Sequence, residues 1–132
     1  FATLDTKISK FFLNNNQSTT IIDTVGFISN IPTQLIDAFK ATLEEVNQSD
    51  ILINVVDIND ENFMEKIKIT KEVLVETGVK NEKISNMITV FNKIDKMNSK
   101  FFKNTKNKFY VSALNKTGIE NLKQGLVYSI IE

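Results

Sequence analysis

The sequence predicts an α/β fold, a doubly wound and mostly parallel sheet that carries one antiparallel hairpin. Three observations predict it. Hydrophobic periodicity switches repeatedly between strand-like and helix-like spacing, the pattern of a sheet layered with helices. Two strand-like segments, residues 7–13 and 19–22, flank the triplet Asn14-Asn15-Asn16, a residue type that favours tight turns. Residues 51–56 form an apolar run, interrupted only by Asn54 and closed by Asp57, as expected of a parallel strand buried on both faces.

The elements follow in chain order. The segments at 7–13 and 19–22 form the hairpin. Leu35, Phe39, Thr42, Leu43 and Val46 recur at helical spacing behind Pro32 and Thr33, with Asp37, Lys40 and Glu44 on the opposite, hydrated face. After the strand at 51–56, Asn59 or Asp60 is placed to cap a helix whose apolar face is Phe63, Ile67, Thr70 and Leu74 and which stops near Gly78. A strand over 87–91 leads into Asn92-Lys93-Ile94-Asp95, and the polar stretch 96–107 admits either a short helix or a loop. Residues 109–111 make the last strand. Ile119, Leu122, Leu126 and Ile130 line a closing helix despite Gly125 inside it. No internal repeat or linker interrupts the pattern, so residues 1–132 are expected to form one unit.

Composition narrows the function classes. With 132 residues and 42% hydrophobic content the chain can bury a core. Lys+Arg and Asp+Glu are equal at 16 each, so no domain-wide basic field gathers nucleic acid, and any RNA contact must be local. Cysteine is absent, which excludes disulfides and thiolate metal sites. No stretch resembles a signal peptide or reaches the roughly 20 apolar residues of a membrane span, so cytoplasm is the expected compartment.

Four short motifs fall at strand ends or the chain start, and ligands of open α/β sheets bind beyond the carboxyl ends of strands. Asp23-Thr24-Val25-Gly26 follows the second strand. An aspartate here can hold Mg²⁺, usually through water, and a glycine lets its N–H approach a γ-phosphate because no Cβ stands in the way. Read blandly, the same residues are a polar turn. Asn92-Lys93-Ile94-Asp95 is more selective. Guanine presents N1–H and N2 as adjacent donors that an ionised carboxylate accepts together, and Asp95 is placed for that. Adenine offers a bare acceptor there, a mismatch that a hydrogen-bonding site rejects. Asn92 can tie base and loops together, and the methylene stem of Lys93 can cover a ring face. Ser112-Ala113-Leu114 follows the last strand, where the Ala113 N–H could meet guanine O6. Thr3, in Phe1-Ala2-Thr3-Leu4-Asp5, offers a hydroxyl that could ligate Mg²⁺.

These motifs, with the run Asp23-Thr24-Val25-Gly26-Phe27-Ile28, the run from Gln34 to Val46 and Val55-Val56-Asp57, resemble the HflX family of translation-associated GTPases over nearly the whole chain. The resemblance implies a P-loop-NTPase-like, Ras-like GTP-binding (G) domain. By it, Thr3 is the switch I threonine and Asp23 to Gly26 begin switch II. Asn92 to Asp95 read the base, and Ser112-Ala113 complete its pocket. GTP or GDP with Mg²⁺, held by Thr3 and Asp23, would be the ligands, and the large ribosomal subunit the partner, in splitting or rescue of stalled ribosomes.

Two departures qualify what the likeness implies. Asp5 is followed by Thr6-Lys7-Ile8 rather than the proline and further threonine usual beyond this switch I motif. No G-x-x-x-x-G-K-[ST] occurs, since none of the four glycines precedes a lysine, so the backbone cradle for phosphates is absent from these residues. The expectation is therefore a partial G domain, lacking the P-loop strand and first helix. Such a domain is expected to be inactive alone, with open sheet edges prone to self-association. Phe27 stands where Ras-like enzymes place a water-orienting glutamine and cannot position water, so hydrolysis needs a group from elsewhere. Two other readings stay open. A non-catalytic fragment that only displays interaction surfaces is one. A receiver-like signalling domain, with Asp57 as acceptor and Lys93 and Ser112 as partners, is the other, but it lacks an early acidic pair and leaves Asp95 unexplained.

Overall fold

The computed structural model describes residues 7–14, 17–23, 44, 46–98 and 101–131, and the chain separates into two compact units, Phe1–Ser49 and Asp50–Glu132. In the first unit β1 (Lys7–Asn14) and β2 (Gln17–Asp23) form the expected antiparallel hairpin. Their register runs from Lys7 opposite Asp23 to Asn14 opposite Gln17 and shifts between Phe12 and Asn14, where Leu13 is the extra residue of a bulge. Residues 44 and 46–48 are helical. The remainder of the helix expected over 35–46, together with Thr3, Thr24, Gly26 and Phe27, lies outside the described residues.

The second unit is a three-stranded parallel sheet in the order β3-β4-β5, made by β3 (Ile53–Asp57), β4 (Ile88–Asn92) and β5 (Lys108–Tyr110). Between β3 and β4 run α1 (Phe63–Glu76) and a short helix the sequence did not suggest, α2 (Asn81–Ser85). The closing helix is α3 (Ile119–Ile131). Register places Val56, Phe91 and Tyr110 side by side on one face and Val55, Val90 and Phe109 on the other, because side chains alternate along a strand. Phe63 of α1 meets Phe91 edge-on at 5.6 Å. On the opposite face Gly125 of α3 sits so close to Phe109 that an added Cβ would lie 2.3 Å from the ring. The helices thus cover opposite faces, the doubly wound arrangement. Gly125 costs the helix some propensity, and the close approach to Phe109 is what it gains.

The apolar periodicity of α1 is reproduced: Phe63, Ile67 and Thr70 are half-buried and Leu74 is buried. The helix ends in a Schellman motif, Gly78 N–H on Val75 O at 3.1 Å and Val79 N–H on Leu74 O at 3.0 Å, with Gly78 at φ 88. Its start differs from expectation. The N-cap is Asn62, with no side-chain cap bond, because Asn59 is engaged elsewhere and Asp60 accepts the Asn62 N–H at 2.9 Å while pairing with Lys66.

The run at 51–56 also behaves differently from its expectation. Leu52 and Val56 are buried, but Ile53 is 41% and Val55 63% exposed. In the sheet of the second unit β3 is an edge strand, and α3 packs against Phe109 of β5 on the face that carries Ile53 and Val55. The stretch after β4 settles as a 3₁₀ turn, Ile94–Lys96, followed among the described residues by irregular chain. That chain covers the outer edge of β5: the Tyr110 N–H donates to Asn104 Oδ1 at 3.0 Å and the Thr105 N–H to Lys108 O at 2.9 Å. Phe102 stacks on Tyr110 at 5.3 Å, and Tyr110 on Phe91 at 5.0 Å. Among the described residues no helix is long and apolar enough to cross a membrane.

Candidate functional site

The carboxyl ends of β3, β4 and β5 gather one polar cluster. β4 is buried from Ile88 to Phe91, which anchors the turn that follows it. At that turn Asn92 Oδ1 accepts the Ala113 N–H at 2.9 Å, joining the loop after β4 to the loop after β5. Asp95 Oδ1 accepts the Ser112 hydroxyl at 2.8 Å. Ser112 is 1% exposed, and its Oγ also accepts the Asn115 N–H at 3.1 Å, so the buried hydroxyl is satisfied in both directions. Backbone bonds brace the same loops: Ile94 N–H to Val111 O at 3.2 Å, and a reciprocal Ser112–Thr117 bridge at 2.9 and 3.0 Å.

The consequence for Asp95 is geometric. One oxygen is held by Ser112, and a carboxylate has about four acceptor positions, so capacity remains for further donors. The Ala113 N–H, read from the sequence as a donor to a ligand carbonyl, is here committed to Asn92. Five of the residues singled out in the sequence are therefore brought together: Asn92, Lys93, Asp95, Ser112 and Ala113. Asp23 is the last residue of β2 in the first unit.

A second layer of the cluster was not read from the sequence. Lys93 sits in the left-handed region at φ 70 and ψ 35, and its Nζ lies 3.3 Å from Asp57 Oδ2. Asn59 Nδ2 donates to Lys93 O at 3.1 Å and to Asp57 Oδ1 at 3.3 Å, while the Asn59 N–H donates to Asp57 Oδ1 at 2.9 Å. The Ile58 N–H reaches Asn92 O at 3.1 Å. The Asn59 N–H bond, with lesser help from Lys93, holds the Asp57 carboxyl below its ordinary range against the opposing cost of desolvation. The available signal was Asp57-Ile58-Asn59 itself, a D-x-N step after a strand, the spacing of an aspartate that bonds the backbone two residues on. The expected helix cap at Asn59 obscured it.

As for metal, the proposed ligands Thr3 and Asp23 offer hydroxyl and carboxylate oxygen, hard donors of the kind Mg²⁺ takes. Among the described residues no group of three or more acidic side chains gathers to hold a cation unaided. A cavity of about 560 Å³, lined by Ile51, Ile88, Asn107 and others, lies at the amino ends of the strands, opposite this cluster.

Comparison with known proteins bears on the same residues. A family model described as 50S ribosome-binding GTPase matches residues 1–93. GTPase HflX of Caldanaerobacter subterraneus subsp. tengcongensis is 38% identical over 126 residues, 96% of this chain and 28% of its own length. So long a span runs through Asn92 to Asp95 and Ser112-Ala113 wherever it begins. A chloroplastic GTP-binding protein of Arabidopsis thaliana is 46% identical over 95 residues, 72% of this chain and 15% of its own. Among solved structures, a GTP-binding protein of Sulfolobus solfataricus in complex with GDP superposes with a TM-score of 0.77 at 31% identity, covering 93% of this chain and 43% of that one. The chain thus spans less than a third of the length of these two curated relatives.

Proposed function

The chain belongs to the HflX family of GTPases, and from that premise we propose that the loops after β4 and β5 bind the base of a guanine nucleotide. The supporting observation is the closure of the two loops through Asp95–Ser112 and Asn92–Ala113. It orients the Asp95 carboxylate while leaving acceptor capacity for guanine N1–H and N2. Ser112 fixes the carboxylate, and Asn92 fixes the loop that carries Ala113. A guanine O6 in the site would compete with Asn92 for the Ala113 N–H. On this reading the Lys93 stem would cover a face of the base, with its ammonium 3.3 Å from Asp57 Oδ2.

Thr3, Asp23, Thr24 and Gly26 are proposed to face the phosphates and Mg²⁺. The ion, when bound, neutralises charge on the β- and γ-phosphates. Hydrolysis of GTP belongs, on this reading, to a protein in which a phosphate-binding loop accompanies these residues. The 132 residues contain no such loop and are not expected to turn over GTP by themselves. The large ribosomal subunit is the proposed partner, in splitting or rescue, and the cytoplasm the proposed site of action. Self-association through the exposed apolar edge at Ile53 and Val55 is a further part of the proposal. The receiver reading gives way to the GTPase family match: it expects the Lys93–Asp57 pair but gives no role to Asp95 and its bond to Ser112.

The test is Asp95→Asn in the full-length protein. Xanthine carries a carbonyl where guanine carries the N2 donor, and an amide can meet it while a carboxylate cannot. The expected outcome is weaker GTP binding and a shift of at least about 10-fold toward XTP. Unchanged GTP over XTP selectivity would remove Asp95 from the site.

A further inference from the structure

We propose that Asp57 and Asn59, at the end of β3, are positioning residues for the base-reading loop: they hold Lys93 in its left-handed conformation and so set how long a guanine nucleotide stays bound. The proposal rests on the guanine reading above and adds two residues to which that reading gives no role.

The argument starts from Lys93. A φ of 70 is disfavoured for a residue with a Cβ, because the Cβ crowds the following carbonyl. Among the described residues only Lys116 shares this conformation without being glycine. Lys93 must adopt it for the chain to leave β4, turn, and present Asp95 to Ser112 within three residues. Something has to stabilise the turn. The Lys96 N–H bonds Lys93 O at 3.1 Å from within the loop, and Asn59 Nδ2 bonds the same oxygen at 3.1 Å from the neighbouring strand end. The two together satisfy both lone pairs of that carbonyl and fix the orientation of the 93–94 peptide.

Asn59 can do this because it is itself held. Its backbone N–H and its Nδ2 both donate to Asp57 Oδ1, which aims the amide at Lys93. The other Asp57 oxygen takes the Lys93 ammonium at 3.3 Å. The lysine is thus gripped at its carbonyl and at its ammonium by two residues separated by one position. The Lys93–Asp57 pair is roughly half exposed, with side chains 47% and 40% accessible, so by itself it is a weak restraint. The amide bridge from Asn59 is the part expected to matter. Asn59 is exposed and contributes nothing to the core, so changing it leaves the fold in place.

The experiment measures dissociation of fluorescently labelled GDP, and the preference for GDP over IDP, in full-length wild-type protein and in Asn59→Ala, Asn59→Asp, Asp57→Asn and Asp95→Asn. IDP lacks the N2 donor, so the GDP/IDP ratio reads how well Asp95 is aimed. Asn59→Ala is expected to speed dissociation roughly 3- to 10-fold, the size of a lost hydrogen bond, and to lower the GDP/IDP ratio. Asn59→Asp should do worse, since a carboxylate placed against the Lys93 carbonyl repels it. Asp57→Asn keeps the acceptor for the Asn59 N–H and loses only the charge, so its effect should be about 2-fold and vanish at high salt. A merely structural role would lower the melting temperature and the affinity for both nucleotides without moving the ratio. Wild-type dissociation rates and GDP/IDP ratios in Asn59→Ala and Asn59→Asp, with Asp95→Asn altering base preference, would overturn this proposal and leave the guanine reading intact. If Asp95→Asn changes nothing, the guanine reading itself fails.

Discussion

β3 and β4 lie side by side in register, Ile53 beside Ile88 and Val55 beside Val90, and both are apolar at these positions. Yet Val90 is 3% exposed and Val55 63%, while Ile88 is 1% and Ile53 41%. The difference lies in the neighbours rather than in the strands. β4 has a strand on each side, and Phe63 of α1 packs on its Phe91. β3 has a strand on one side only, and its Ile53 and Val55 are open while Val56, on the opposite face, is buried. The same contrast separates the loops that follow. β4 ends in the turn proposed to read the base, anchored by residues buried from Ile88 to Phe91, whereas β3 ends in the half-exposed Asp57, followed by the exposed Asn59, and both reach across to that turn.

The sharpest way to break the comparison is to cut matched side chains. Ile88→Ala should cost about 2–5 kcal/mol, since it opens a cavity among close-packed neighbours. Val55→Ala, one strand away, should stay within about 0.5 kcal/mol, because its side chain is already largely in water. Urea midpoints of the two variants would decide it, and equal losses would mean that Val55 is covered in solution by something else.

Gly125→Ala probes the packing of α3 against Phe109 of β5. A methyl 2.3 Å from the Phe109 ring cannot be accommodated without movement of strand or helix. The expected overpacking penalty of about 1–3 kcal/mol exceeds the helix propensity gained, about 1 kcal/mol. A net loss in thermal midpoint is the expected result; a gain would show that α3 is free to move away from Phe109.

The smallest effect is electrostatic. The carboxyl of Asp57 is held below its ordinary value chiefly by the Asn59 N–H, so its contribution to stability is fully present above the unfolded value near pH ~4. It is lost as pH falls through the lowered folded value. Asp60 titrates in the same direction because of Lys66. Asp57→Asn should therefore reduce, without abolishing, the loss of stability as pH falls below about 4. Identical acid profiles for variant and wild type would show that the β3-to-β4 brace does not persist in solution.

How far such features could be read beforehand depends on whether the signal was local. The hairpin was legible from Asn14-Asn15-Asn16 between strand-forming segments, α1 from the spacing of Phe63, Ile67, Thr70 and Leu74, and α3 from Ile119, Leu122 and Leu126, because each is decided by residues within a few positions. The short helix α2 was missed: five residues are too few for a periodic signal. In the candidate site, Asn92, Lys93, Asp95, Ser112 and Ala113 were legible as motifs at strand ends. The bonds that join them span 17 and 21 residues and could not be.

Sequence alone determined the alternation of strands and helices, the family likeness and the residue types gathered at the strand ends, since periodicity, turn chemistry and side-chain donor sets are local properties. Tertiary structure alone decided which apolar strand is buried, that Asn59 serves Lys93 instead of capping α1, and that Gly125 is a packing requirement. Each of these depends on which distant segment arrives as a neighbour. An apolar run or an asparagine amide is identical in the chain whether that neighbour is a helix, a carbonyl 34 residues away or water.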